Sequence, residues 1–264
     1  MTSIRVVVHG ALGKVGQEVV RTVCLEPEMQ LAGAVDLKAA QDSLALPDGS
    51  GTVPFSADLE SVLSKCRPDV IVDFTIAKAA MPAVRVAAKS GVNMVIGTTG
   101  LTAEDLGEVE RLAAEYKVGV VVAPNFALGA VLMMHLARIA AKYLDYAEII
   151  ELHHNQKADA PSGTARSTAK AMAAARGKPF LRPSETDETL VSRGEQLEGI
   201  NVHSVRLPGL LAHQEVILGA PGQTLSIRHD TISRECFMPG VILAIKEAVK
   251  RKGFTYGLDT LLGL

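Results

Sequence analysis

The sequence predicts a mixed α/β chain in which a doubly wound, mainly parallel sheet is followed by a second domain of α+β type. Three observations carry this reading. Short β-branched runs alternate with longer segments of helical period through the first half; a glycine-rich turn follows the first run; and after Ala123 the pattern changes to a long helix, a strand and several alternating runs. A length of 264 residues suits one large domain or two modest ones.

The runs Ile4–Val8, Leu31–Val35, Val70–Phe74, Asn93–Gly97 and Gly119–Ala123 are nearly continuously apolar, as strands covered on both faces must be. Val15–Glu26, Asp58–Cys66, Ala79–Gly91 and Thr102–Tyr116 carry apolar residues at three- and four-residue spacing, the pattern of crossover helices. Repeated β-α-β units of this kind make a Rossmann-like sheet. Between Leu37 and Asp58 turn formers dominate, and an irregular excursion is expected there.

Beyond Ala123 a helix is expected from Gly129 to about Leu144, a strand over Ala147–His154, and a helix from Ser162 to about Ala175. A polar stretch spans Gly177–Gly199. The alternating runs Ile200–Leu207, His213–Ala220 and Gln223–Asp230 read as antiparallel strands. A closing helix from about Glu235 to Lys250 returns to the first domain. The expected boundaries are therefore 1–125 plus 235–264 for a dinucleotide-binding domain, and 126–234 for a substrate-binding and oligomerisation domain.

Composition excludes several classes. No apolar run reaches the roughly 18 to 20 residues of a membrane helix, and the N-terminus lacks the marks of a secretory signal, so a soluble, cytoplasmic protein is expected. Cys24, Cys66 and Cys236 form no C-x-x-C pair, which argues against a disulfide framework or a cysteine zinc site. A formal net charge of −2 without long basic blocks gives no nucleic-acid footprint.

The motifs point to a nucleotide and an anion. "GALGKVG" (Gly10 to Gly16) follows the first strand and opens a helix, a turn whose missing side chains let a pyrophosphate rest on helix N–H groups. Asp36, at the end of the second strand, is placed to accept hydrogen bonds from an adenosine ribose and favours NADH. Lys38 offers a cation to the extra phosphate of NADPH, so both cofactors stay open. "GTTG" (Gly97 to Gly100) and "APNFALG" (Ala123 to Gly129) end later strands, and their small residues leave room for a nicotinamide ring.

The stretch "ELHHNQKADAPSGTA" (Glu151 to Ala165) holds two histidines, a lysine and a Ser-Gly-Thr turn. His153 and His154, as neighbours on a strand, face opposite sides and cannot share a metal; with no H-E-x-x-H nearby, no metal site is expected. Histidine titrates near neutral pH, which suits His153 to proton donation. Ser162 caps the following helix, so Gly163 and Thr164 present N–H groups to an anion, with Lys157 and His154 adding charge-assisted hydrogen bonds to a carboxylate. A dehydrogenase of another amino or hydroxy acid does not explain this anion turn, and a non-catalytic dinucleotide sensor has no use for His153 and Lys157.

At this block the chain resembles the 4-hydroxy-tetrahydrodipicolinate reductases, whose signature E-[LIA]-H-H-x-x-K-x-D-A-P-S-G-T-A is matched throughout. "GALGKVG", "VDFT" (Val72 to Thr75), "GTTG" and "APNF" stand in the family's order, so the resemblance spans nearly the whole chain. Val15 and Ala127 depart from the common Met and Ser. The resemblance implies reduction of a cyclic imine-type dicarboxylate by NADH or NADPH in lysine biosynthesis. It implies His153 as proton donor, Lys157 as its catalytic partner, and His154, Gly163 and Thr164 as carboxylate ligands. It places the cofactor at Gly10, Ala11, Leu12, Gly13, Lys14 and Val15, at Asp36, at Gly97, Thr98 and Thr99, and at Ala123, Pro124, Asn125 and Phe126. It also implies a homotetramer. Nicotinamide and substrate fall on different domains, and hinges are expected near Asn125–Gly129 and Ser233–Glu235.

Overall fold

Strands that are apolar on both faces need cover on both faces, and the N-terminal half supplies it. In a computed structural model, which describes residues 3–182 and 192–264, the chain forms two units, Met1–Phe126 with Phe237–Leu264, and Ala127–Cys236. The first holds β1 (Ile4–His9), α1 (Lys14–Leu25), β2 (Met29–Val35), β3 (Ser43–Ala45), β4 (Thr52–Ser56), α2 (Leu59–Cys66), β5 (Val70–Asp73), α3 (Ala77–Lys89), β6 (Asn93–Ile96), α4 (Ala103–Tyr116) and β7 (Gly119–Val122). It is completed after the second unit by α7 (Met238–Lys250), β13 (Gly253–Tyr256) and α8 (Leu258–Leu262).

Its sheet runs β13-β7-β6-β5-β1-β2-β4-β3, parallel except for β3. On one face Leu63 of α2, Val84 of α3 and Leu112 of α4 pack on Val7, Ile71, Met94 and Val120. Helices α1 and α7 lie against the other face. Winding turns outward in both directions from β1 and β5, so the switch point, where open α/β sheets bind ligands, lies at the C-terminal ends of His9 and Asp73.

The second unit holds α5 (Leu128–Ala140), β8 (Tyr146–His153), α6 (Gly163–Arg176), β9 (Glu195–Leu197), β10 (Ile200–Arg206), β11 (Ala212–Ala220) and β12 (Gln223–Thr231). The sheet order is β12-β11-β8-β10-β9. Ala147 and Ile149 of β8 share one face with Val202, Val216 and Leu218, and α5 and α6 bury it through Ala137, Ala141, Ala165, Ala169 and Met172.

Three expectations need correction, and one strand is additional. The stretch from Leu37 to Asp58 is not wholly irregular: β3 and β4 form a hairpin closed by Leu46–Gly51, and β4 joins β2 at Ala34↔Phe55. Strands of three and five residues, one interrupted by Pro54, are too short for periodicity to register. The three alternating runs are not all antiparallel neighbours, since β10 pairs parallel with β8, which separates it from β11. Alternation reports faces, not partners. Strand β8 ends at His153, leaving His154 in the turn, and the edge strand β13 follows the closing helix. Of the polar stretch Gly177–Gly199, positions 183–191 lie outside the described residues.

Two glycines give opposite expectations. A Cβ on Gly16 would lie 1.9 Å from the Gly10 carbonyl oxygen, whereas one on Gly107, inside α4, would meet nothing within 4 Å. In urea denaturation Gly16→Ala should lose at least about 1–3 kcal/mol from forced backbone movement. Gly107→Ala should gain about 0.5–1 kcal/mol.

Candidate active site

The glycine-rich turn is built around backbone contacts that leave no room for side chains. Gly10 takes φ +84°, and a Cβ on it would stand 2.6 Å from the Phe74 carbonyl oxygen. Gly10 and Ala11 donate N–H bonds to the Val35 carbonyl at 2.8 and 3.1 Å, which fixes the turn against the end of β2. Gly13 caps α1 without a side-chain bond, and the first turn of α1 carries no acidic residue. Its leading amides therefore suit an anion. Leu12, Gly13 and Lys14 are exposed, Val15 is half-buried and Ala11 is buried. The Asp36 carboxylate accepts N–H bonds from Leu12 at 2.9 Å and from Lys38 at 3.0 Å, so it braces the turn from which it was expected to read a ribose.

The later turns converge on Asp73, a carboxylate with no solvent exposure. His9 Nδ1 lies 2.6 Å from Asp73 Oδ2. Oδ1 accepts the hydroxyls of Thr98 at 2.5 Å and Thr75 at 2.9 Å. The Thr98 hydroxyl in turn accepts the Thr75 N–H at 2.8 Å. Asp73 thus joins the ends of β1, β5 and β6. Gly97 lets the Phe74 ring pass: a Cβ would sit 2.1 Å from it. Phe74 also packs on Phe126 with ring centroids 5.5 Å apart. Ala123 is buried, Asn125 half-buried, and Thr99 and Pro124 are exposed. These residues fit a nicotinamide dinucleotide: an uncapped helix start, close backbone passage at the glycines, and a carboxylate at the end of β2.

In the second unit the strand period places Glu151 and His153 on one face of β8. Glu151 has no exposure, and its Oε2 bonds His153 Nδ1. Arg206, level with His153 on the adjacent β10, grips the same carboxylate with Nη1 at 3.0 Å and Nη2 at 2.8 Å. Burial alone would raise the Glu151 carboxyl, but the hydrogen bonds from His153, Arg206 and Ser204 outweigh it and hold it down to about 2. An ionised Glu151 accepts only, so His153 carries a proton on Nδ1. His153 Nε2 makes no hydrogen bond with any described residue.

After β8 the chain turns, with Lys157 N–H bonded to the His154 carbonyl at 3.1 Å. Lys157 Nζ pairs with both Asp159 oxygens at 2.7 and 2.8 Å, and the ammonium holds the Asp159 carboxyl below the usual range. Ser162 Oγ caps α6 by accepting the Ala165 N–H at 3.2 Å. Gly163 is exposed, and a Cβ on it would meet nothing within 4 Å, so the start of α6 is open to a ligand. Thr164 is half-buried. Arg166 anchors this turn through the Pro161 carbonyl and Glu195.

Sequence reasoning missed Glu151 as the partner of His153, Arg206 as the partner of Glu151, and His9 with Asp73. The i, i+2 spacing of Glu151 and His153 was a readable signal, whereas Arg206 comes from a strand 53 positions after His153 whose parallel pairing the pattern does not reveal. His203 bonds Glu148 at 2.7 Å and His213 bonds Asp230 at 2.7 Å.

A doubly wound sheet with a dinucleotide turn at its switch point, accompanied by a unit bearing a carboxylate-held histidine and an open helix start, defines a nicotinamide-dependent oxidoreductase. Family profiles for the N-terminus and the C-terminus of dihydrodipicolinate reductase match residues 4–126 and 129–262. The chain belongs to the dihydrodipicolinate reductase family, oxidoreductases of the lysine and diaminopimelate pathway, and it reduces the ring derived from 4-hydroxy-tetrahydrodipicolinate to tetrahydrodipicolinate. It is 60% identical over 264 residues to the 4-hydroxy-tetrahydrodipicolinate reductase of Dehalococcoides mccartyi, covering 100% of both chains. It is 50% identical to that of Moorella thermoacetica, covering 99% of both. A dipicolinate-bound dihydrodipicolinate reductase from Paenisporosarcina sp. TG-14 superposes with a TM-score of 0.86 at 42% identity, covering 98% of this chain and 99% of that one.

A carboxyl depressed in the native state adds stability that is fully present above its unfolded value and is lost as pH falls through its native value. For Glu151 the window runs from the ordinary 4.5 down to about 2. Unfolding free energies from urea denaturation through that window should fall more steeply for the native chain than for Glu151→Gln, by on the order of 3 kcal/mol in total.

Proposed function

We propose that His153 is the proton donor of this reduction, that Lys157 assists it, and that His154, Gly163 and Thr164 hold a substrate carboxylate. The observation carrying this reading is the Glu151–His153 pair: a buried carboxylate fixes one ring nitrogen as a donor and leaves Nε2 without a hydrogen-bond partner among the described residues. Reduced nicotinamide, when bound, supplies the hydride. His153, as the imidazolium with its Nδ1–H held by Glu151, then delivers the Nε2 proton and is left as the neutral Nδ1–H ring, while Lys157 balances negative charge on the dicarboxylate. Ser162 secures the α6 start, so the Gly163 and Thr164 amides are oriented before the anion arrives. Lys157 must exchange Asp159 for substrate. A dicarboxylate is supported by the dipicolinate held by the Paenisporosarcina relative.

The 1–126 plus 237–264 unit is the cofactor domain in this reading, with the nucleotide on Gly10 to Val15, Asp36, Gly97 to Thr99 and Ala123 to Phe126. The second unit is the substrate and assembly domain. A homotetramer formed through it would cover β12, a nine-residue edge strand. No described helix is long and apolar enough to cross a membrane, and a biosynthetic reductase is assigned to the cytoplasm.

His153→Ala should lower kcat by on the order of 10² or more with cofactor affinity intact, as removal of a positioned general acid does. Lys157→Ala should lower kcat and raise the substrate KM together; unaltered kinetics in steady-state assays would sink its role. Both NADH and NADPH should support turnover, with NADH favoured through Asp36. Initial rates with the two cofactors at equal concentration check this, and Asp36→Ala should move the ratio towards NADPH while raising KM for both.

A further inference from the structure

We propose that Arg206 is a positioning residue that locks the proton donor and the carboxylate-binding turn into one geometry, an inference that rests on the roles given to His153 and Lys157. Its guanidinium has five N–H groups, and all five are engaged. Nη1 donates to Glu151 Oε2 at 3.0 Å and to the Val205 carbonyl at 2.8 Å. Nη2 donates to Glu151 Oε1 at 2.8 Å and to the Asp159 carbonyl at 2.6 Å. Nε donates to the Lys157 carbonyl at 3.3 Å.

One planar group therefore contacts two functional elements. Through Glu151 it acts on His153: with one edge of the carboxylate forked by the arginine, Oε2 can meet the imidazole from a single direction, which sets the ring plane and the Nε2 vector. Through the carbonyls of residues 157 and 159 it acts on the turn, holding the backbone on both sides of Ala158 while leaving the Lys157 ammonium free to trade Asp159 for a ligand. These are main-chain contacts, so the turn keeps its shape whichever partner Lys157 takes. Charge neutralisation alone needs only the fork on Glu151. The two carbonyl bonds have no such purpose and lie where the turn would otherwise swing.

Lysine cannot substitute. Its ammonium has three donors and no fork, so it can pair with Glu151 or satisfy the turn carbonyls, not both in this geometry. The two arms of the clamp also separate. Glu151→Gln removes the charge that orients His153 and leaves the arginine on the turn, whereas Arg206→Met releases both arms.

Steady-state kinetics with the 4-hydroxy-tetrahydrodipicolinate substrate test this on the full-length enzyme, alongside NADH binding by fluorescence and thermal melting. Glu151→Gln should lower kcat about tenfold to a hundredfold with KM little changed, the cost of a misplaced reacting group. Arg206→Met and Arg206→Lys should lower kcat similarly and also raise the substrate KM several-fold, with NADH affinity unchanged. Because Arg206→Met strands a buried carboxylate and can fail to fold, the double variant Glu151→Gln/Arg206→Met, which removes that charge, is measured too; it should melt as a folded protein and still show both defects. Recovery of native kcat and KM in the double variant or in Arg206→Lys would overturn the proposal, reducing Arg206 to a counter-ion. A KM that stays native in folded Arg206 variants would equally overturn the clamp on the turn. His153→Ala run in parallel separates the layers: if it is active, the proton-donor assignment fails, while an inactive His153→Ala beside a fully active double variant removes only the positioning role.

Discussion

A carboxylate with no solvent exposure must be neutralised or compensated, and much of the second unit is arranged around that requirement at Glu151. Along β8 the positions preceding it on the same face, Ala147 and Ile149, are core residues under α5 and α6. Glu151 continues the core face with a charge, at the point where the apolar interior gives way to the site. Transfer of an isolated carboxylate into such surroundings would cost several kcal/mol. Arg206, His153 and Ser204 offset that cost, and two of the three are held in place by doing so. The compensation is therefore also the means by which the His153 ring acquires a single orientation.

The first unit reaches rigidity differently. Its turns present mostly backbone, and close passage at Gly10, Gly16 and Gly97 sets their shape. Asp73 is again a buried carboxylate, but its partners are two hydroxyls, a backbone amide and His9, all from the ends of neighbouring parallel strands. Such a hub suits the switch point of a sheet, where adjacent strand ends lie side by side and the turns leaving them diverge. The second unit relies on charge, with Arg206 and His153 compensating Glu151.

Much of this was legible in the sequence because it rests on local pattern. Parallel strands that are apolar throughout, the glycine spacing after β1, and the Ser162 cap are set by residues close in the chain, and each was found at or near its expected position. The histidine-lysine block carried enough unusual residue types to mark the site. What escaped is non-local. The parallel pairing of β10 with β8 decides that Arg206 stands beside His153, and an alternating run has the same pattern whichever neighbour it takes. Short strands such as β3, and β13 after the closing helix, bury too little for periodicity to announce them. The hub at Asp73 was hidden likewise: "VDFT" was visible, but its partners His9 and Thr98 arrive from two other strands.

Asp36 shows how far such dual use constrains change. Its two oxygens already accept the amides of Leu12 and Lys38, tying the glycine-rich turn to the loop after β2. In the proposed cofactor mode a ribose would use the lone pairs that remain, so nucleotide recognition and turn geometry would share one side chain. Replacing Asp36 to admit a phosphate would loosen the turn proposed to cradle the pyrophosphate, and in that mode affinity for both cofactors would suffer before preference improved. Lys38 carries no such burden: its side chain is exposed and only its backbone amide is tied to Asp36. Adjustment of cofactor preference is thus physically easier at Lys38 and its exposed neighbour Leu37, where a cation can be added or removed while the carboxylate keeps the turn in place.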